Sequence, residues 1–426
     1  MDFGLLFMND EKKIILSRAL TNSGDQAWDF AVPVTLAMFM PGHLDLVALV
    51  FFLSRLSHVL ILPLIGNMMD KLNRVTSIKL GLCSQFIGVL IQAIALTHLS
   101  ESRDFSLLFI IFGGVISGLG SAMTNIAVSQ DIVPLLFQGD LLSKINSRIR
   151  QVDLFSEVCS PVVAGTILLL NTSSIPYAGI LIIALWNLAS FFPEYFLVRS
   201  VFSRHKEKLQ RPSVEIVKIP IWSKLSMGWG QLLKISAAPA IFAYALLWLS
   251  ALSPHGVLLT SFLKESWALP EITLGIFRGL GAIFGLFATI LFPIAVAKIG
   301  LVKTCRLSIL LQSITLIFAL AGFHLKFSWL FLGGILFSRI GLYSFSLGEQ
   351  QLRQLSIPEH LRGSINATAT ALTSLATLCL LGLGSILGSV DQFARLVDIS
   401  VGCVLVSCFI IYRSNKLNDS LFNVTK

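Results

Sequence analysis

The chain has 426 residues, of which 55% are apolar and only 13% charged, and it carries 31 Phe, a composition that excludes a water-soluble globular domain. Its net charge of +9 does not indicate a nucleic-acid partner, because the positive residues follow the loops between apolar runs. The sequence has no HExxH, GxSxG or Gly-rich phosphate loop, so no enzyme is expected.

Crossing a hydrocarbon core of roughly 30 Å takes about 20 apolar residues in a helix. Only helices and closed barrels satisfy their backbone in lipid, and the apolar runs here lack the alternation of a barrel. The N-terminal MDFGLLFMNDEKKIIL places its charges after the first apolar run and has no small-residue cleavage site, so the first span is expected to be retained. Spans are expected near 18–40, 44–69, 75–98, 105–134, 144–171 and 175–202, making a first lobe over 1–202. The basic stretch that follows carries Pro212, Pro220 and Trp222 and is too polar to span; it reads as a cytoplasmic, partly interfacial linker over 203–236. A second set near 237–263, 271–297, 301–323, 327–355, 362–388 and 391–413 makes a second lobe over 237–413, with a tail over 414–426. Six Cys residues sit in or beside apolar segments without metal-site spacing and read as reduced packing residues.

The layout of six spans, linker and six spans is that of the major facilitator superfamily. The expected fold is therefore an all-α membrane protein of about twelve transmembrane helices in two six-helix lobes. Arg103, Lys264, Lys326 and Arg395 fall on one side, and Arg55, Arg278 and Arg339 within spans. Every other Lys and Arg falls with the N-terminus, linker and C-terminus, which places both termini in the cytoplasm.

An ionisable group at mid-membrane costs about 3 kcal/mol on insertion scales, so each one needs a partner, a wet cavity or a role. The first span opens with the polar, Gly-containing run TNSGDQAWDF over 21–30, which is expected to unwind. Its counterpart in the second lobe is LSALSPHG over 249–256, where Pro254 removes a helical hydrogen bond and Gly256 permits unusual dihedrals. Paired interruptions in corresponding spans point to a transporter's binding site, which makes Asp25 and His255 the leading candidates. A carboxylate and an imidazole suit first-row divalent metals. The bland alternatives are that Asp25 caps a helix and that His255 is a hydrogen-bonded core residue. In the sixth span Asn187, Ser190 and Glu194 share one helical face, as interhelical hydrogen bonding or as further oxygen ligands. The remaining histidines, His43, His58, His98, His205, His324 and His360, lack metal-site spacing. Arg278, Arg339 and Glu349 are expected to form internal pairs.

SGDQAWDF (23–30), LWNLASFFPEYF (185–196), ALLWLSALSPHGVLL (245–259) and RGLGAIFGL (278–286) resemble the ferroportin family of iron exporters, particularly its bacterial members, over about residues 15–365. The resemblance implies a metal site in each lobe: Asp25 with Thr21, Asn187, Ser190 and the backbone of Phe191 in the first, and His255 in the second. It also implies a calcium site on Asp25, Gln85, Asn187 and Glu194 that promotes an outward-open state. Two departures from animal members stand out: residues 240–263 hold no Cys and the eleventh span no His. Regulation by a peptide hormone is therefore not expected.

The loop Gly66–Arg74 resembles the loop after the second span of major facilitator proteins, where acids and bases latch the cytoplasmic side shut. Asp70 and Arg74 are expected to meet Asp131, Asn146, Arg150 and Asp153 of the first lobe and Arg362 and Gly363 of the second; the alternative is a solvated loop. The expected function is export of Fe2+, and of ions like Co2+ and Mn2+, by alternating access in exchange for protons. The protein would be a lipid-embedded monomer of the bacterial inner (plasma) membrane, with no tightly bound cofactor, Ca2+ as a regulator and no nucleic-acid partner. The nearest rival within transport is a proton-coupled exporter of an organic small molecule, with Asp25 as proton carrier and Trp28, Phe191 and Trp248 lining an apolar cavity. A rival from another class is a membrane receptor or scaffold that moves nothing, against which stand the broken helices and buried charges.

Overall fold

The computed structural model describes residues 8–40, 44–99, 101–171, 175, 177–211, 221–254, 256–387 and 392–417. Every regular element among them is helical, because a helix closes its own backbone hydrogen bonds where lipid offers none. The first half comprises α1 (Asp10–Phe39), α2 (Leu44–Leu60), α3 (Leu62–Met69), α4 (Arg74–Thr97), α5 (Arg103–Asn125), a π-helical stretch (Ile126–Ile132), α6 (Val133–Leu136), α7 (Gly139–Leu168) and α8 (Ala178–Arg204). After α9 (Lys206–Leu209) and α10 (Ile221–Lys234) come α11 (Ala238–Leu247), α12 (Val257–Glu265), α13 (Glu271–Ile299), α14 (Leu301–His324), α15 (Ser328–Ser356), α16 (Arg362–Leu387) and α17 (Phe393–Arg413). The second expected span is bent by 45° where α2 gives way to α3, with Pro63 in the first turn of α3.

Among the described residues 8 helices are long and apolar enough to cross a membrane, or up to 10 if each bent pair is one span. Neither α1 nor α7 passes that test. Asn22, Asp25 and Asp29 on α1, and Asn146, Arg150 and Asp153 on α7, lower the hydropathy of these helices. Large apolar side chains such as Leu108, Phe112, Ile276, Ile283, Ile290 and Phe318 are exposed, as a lipid-facing surface requires.

One expectation fails outright. The first helix does not unwind at residues 21–30: α1 is continuous from Asp10 to Phe39, through Gly24 and Pro33. The hydroxyls of Thr21 and Ser23 fold back onto the Ser17 and Leu20 carbonyls at 3.1 Å each, so these two side chains are satisfied inside the helix. In the second half the break is present. Helix α11 stops at Leu247 and α12 begins at Val257, with Pro254 and Gly256 between them.

The chain forms two compact units. One is Met1–Leu136, Gln151–Gly228 and Glu359–Thr368; the other is Phe137–Arg150, Trp229–Pro358 and Ala369–Lys426. Helices α7 and α16 thus each contribute to both. In the first unit α4 and α5 meet through small residues. A Cβ on Gly88 would lie 2.5 Å from the Gly113 carbonyl oxygen, and one on Gly120 would lie 2.6 Å from that of Gly81. Such backbone approach is what drives helix association in lipid, where apolar burial offers little. It carries Gln85 on α4 and Ser121 on α5 to the same place. The core of the second unit is built from Leu252, Phe262, Phe292, Phe331, Phe345 and Phe393 with their neighbours.

Candidate functional site

Asp25 sits midway along α1, and its carboxylate is gripped from two other helices. Ser121 of α5 donates to Oδ2 at 2.7 Å, and Gln85 of α4 donates to the same oxygen at 3.1 Å. Thr124 donates to the Gln85 Oε1 at 3.3 Å, which fixes the amide with its N–H toward Asp25. The Gln85 oxygen therefore faces Thr124, and ligation of an ion through it requires the amide to turn over.

Helix α8 brings the rest. Asn187, Ser190, Phe191 and Glu194 are all buried. Asn187 adjoins Asp25 and Thr21 adjoins Glu194, yet Asn187 Oδ1 and Nδ2 and Glu194 Oε2 close no hydrogen bond. Ser190 donates to the Asn187 carbonyl at 2.7 Å, leaving its lone pairs available. Helix α8 comes this near because position 24 is glycine: a Cβ there would lie 3.3 Å from Asn187 Cα and Cγ. An unpaired buried polar group costs about 1–3 kcal/mol, so several in one place mark a site rather than a packing accident. The donors are oxygens, which suit Ca2+ and the harder divalent transition metals. Among the described residues no three His, Cys, Asp or Glu side chains converge as a metal cluster. A cation here would rest on Asp25, Glu194 and neutral oxygens.

A cavity of about 240 Å³ opens beside Asp25, lined among others by Arg18, Asn22, Trp28, Asp29, Arg55, His58 and Ser121. Trp28 gives its indole N–H to Gln92 Oε1 at 2.8 Å and lines this cavity. Arg18 pairs with Asp153 at 2.8 Å. This pair removes Asp153 from the expected latch and holds α7 against α1. Sequence reasoning set His58 aside; the fold puts it in this wall, 8% exposed and with neither ring nitrogen hydrogen-bonded.

His255 lies outside the described residues. Its surroundings in the second unit show how the break is held. Arg339 donates to the Leu252 carbonyl at 2.7 Å, and the Ala251 N–H donates to Ser400 Oγ at 2.8 Å. Arg339 was expected in an ion pair and instead serves a carbonyl freed by the broken helix. Glu349 does pair, with Arg353 at 3.1 Å.

The loop between α3 and α4 gathers most of the expected latch. Asp70 accepts the backbone N–H groups of Gly363 and Ser364 at 2.6 and 2.7 Å, where a helix N-terminus favours negative charge. Burial pushes its carboxyl up to about 7, with those two bonds pulling the other way. Asp131 accepts from Arg74 at 2.9 and 3.1 Å, from Arg211 at 2.6 Å and from Arg362 at 3.4 Å. Arg74 also pairs with Glu359 at 2.6 Å. The π-helical stretch, a wider turn common at functional sites, carries Asp131 and is buried throughout. Packing is as close as the charges: a Cβ on Gly363 would lie 2.5 Å from the Gly66 carbonyl oxygen.

Asn146 and Arg150 belong to the second unit. Asn146 exchanges hydrogen bonds with Gln354 at 2.7 and 3.2 Å, and Arg150 lies over the Tyr343 ring, 4.9 Å from its centroid. Arg211 and Glu359 were missed. Arg211 lies at the start of the linker, where a basic run gave no sign that one guanidinium reaches back to Asp131 and to the Met69 carbonyl.

The sequence profile described as Ferroportin1 (FPN1) matches residues 11–404. The chain is 38% identical over 418 residues to the Ferreportin of Bdellovibrio bacteriovorus (strain ATCC 15356 / DSM 50701 / NCIMB 9529 / HD100), covering 93% of this chain and 92% of that protein. Its structure is similar to the crystal structure of a bacterial homologue of the iron transporter ferroportin in an outward-facing state with soaked iron. The TM-score is 0.86 and the identity 36%, over 95% of this chain and 99% of that one. It also shares its fold with the major facilitator superfamily proton:xylose symporter XylE, with a TM-score of 0.67 at 14% identity, over 95% of each chain.

Proposed function

The chain belongs to the ferroportin family, and from that premise we propose that it exports divalent transition metal, Fe2+ foremost, by alternating access. The observation that carries this reading is the Asp25 site. One carboxylate is gripped by Ser121 and Gln85, and the unpaired oxygens of Asn187 and Glu194 lie buried alongside. That donor set matches a desolvated dication and would be wasteful around an organic substrate. Thr21, Ser190 and the backbone of Phe191 complete the first site, and His255 supplies the second.

Asp70, Arg74, Asp131, Arg362 and Gly363, joined by Arg211 and Glu359, act as the cytoplasmic latch. Ion pairs and N–H bonds that break together suit a two-state element. Moving a dication outward against an inside-negative potential costs about 4.6 kcal/mol per 100 mV, twice the value for one elementary charge. Exchange for protons offsets that cost, and His255 is suited to the exchange because only neutral imidazole binds metal. Calcium, a hard cation, fits Asp25, Asn187 and Glu194 as a regulator, and Gln85 joins only after its amide turns. The protein works in the bacterial inner membrane with both termini cytoplasmic.

Calorimetric titration of the purified chain with Co2+ or Fe2+ tests the reading. Wild type binds, Asp25→Ala and His255→Ala each lose one site, and proteoliposomes take up metal with counter-movement of protons. Absence of binding at both positions refutes it.

A further inference from the structure

The N-lobe cavity contains a charge that the transport reading leaves unused. Asp25 and Asp29 lie one helical turn apart on α1 and both line it, as residues four apart on a helix must share a face. Arg55 and His58 look into the same space from α2. The other arginine of the cavity, Arg18, is committed to Asp153 at 2.8 Å, and His58 has neither nitrogen bonded. Arg55 and Asp29 are exposed to the cavity. The field of Arg55 reaches Asp29, yet no ion pair within 4.0 Å joins them among the described residues. Here a guanidinium lines the same cavity as two carboxylates and is hydrogen-bonded to neither.

We propose that Arg55 is a tethered counter-cation that sets the affinity of the Asp25 site: it neutralises the cavity carboxylates when no metal is bound and repels a dication that replaces it. This rests on the function proposed above. Its value to an exporter is in release. A site must bind strongly enough to load and weakly enough to unload, and a fixed positive charge lowers affinity for a divalent ion twice as steeply as for a monovalent one. A long, flexible side chain can withdraw toward Asp29 as the metal enters, so the neutralising charge is displaced rather than trapped.

The test is Co2+ titration of the full chain in a His255→Ala background, so that only the first site reports. Arg55→Ala and Arg55→Gln are each expected to tighten Co2+ binding by about tenfold, the effect of one charge on a dication across a solvated cavity. Arg55→Lys, which restores the charge, stays within about twofold of the parent. Asp29→Asn weakens binding by a few fold. In proteoliposomes Arg55→Ala turns over more slowly at saturating metal, because release is slowed. A tighter site cannot arise from a poorly folded protein, so the expected sign distinguishes a charge effect from damage. If Asp25→Ala abolishes binding while both neutral Arg55 variants bind like the parent or more weakly, the counter-cation is refuted and the transport reading stands. If the parent itself binds no Co2+, both fail.

Discussion

Asp131→Ala probes the latch at its most loaded point. It removes a carboxylate on which Arg74, Arg211 and Arg362 converge, and leaves Glu359 paired with Arg74 alone. The side chains of Asp131 and Arg74 are 3% and 0% accessible, so solvent does little to screen them. Removing one partner of a buried pair costs about 3–5 kcal/mol. Spent on opening rather than unfolding, that energy shifts the latched-to-open equilibrium by a factor of roughly one hundred to several thousand. The readout is a cysteine at Ser364, 1% exposed in the latched protein, introduced as Ser364→Cys after the six native Cys are replaced. Labelling by a maleimide should accelerate by at least tens of fold in Asp131→Ala. Arg211→Ala, which removes one of three donors, should accelerate it less. An unchanged labelling rate in Asp131→Ala, with an unshifted melting temperature, would show that the cluster neither holds a gate nor stabilises the fold.

Gly363→Ala places a Cβ 2.5 Å from the Gly66 carbonyl oxygen and 2.8 Å from Asp70 Oδ1; it should open the same cysteine to labelling while the spans stay folded, as circular dichroism would report. Asp70 makes the latch pH-dependent. Its carboxyl rises from 3.8 to about 7 when buried, so between those values the latched state holds a proton that the released one does not. Latching is therefore favoured at low pH and loses that advantage as pH rises through about 7. Asp70→Asn should flatten the dependence, read as Ser364→Cys labelling normalised to an exposed cysteine. Ser121→Ala removes the shortest bond to Asp25 and should weaken Co2+ binding at the first site by about tenfold, the usual effect of losing a group that orients a ligand; calorimetry in the His255→Ala background would report it.

The amino-acid sequence alone indicated an all-helical membrane chain, because a span is decided by transfer of about 20 consecutive residues into lipid, a local quantity. It also singled out Asp25, Asn187 and Glu194, polar groups that are costly inside apolar runs. The break before α12 was equally legible, because Pro254 and Gly256 act on their own backbone. Pairing was not legible. Arg18 and Asp153 are 135 positions apart, and Arg362 and Asp131 are 231; only the register of packed helices decides that Asp153 joins α1, that Asn146 turns to Gln354, and that Arg211 closes on Asp131. Helix α1 also stayed whole where its composition suggested unwinding: the Thr21 and Ser23 hydroxyls fold onto carbonyls of their own helix, and Gln85 and Ser121 of other helices take the Asp25 carboxylate. Tertiary packing likewise brought Arg55 and His58 to the cavity of Asp25, a placement set by the contact of two helix faces and by nothing in either helix alone.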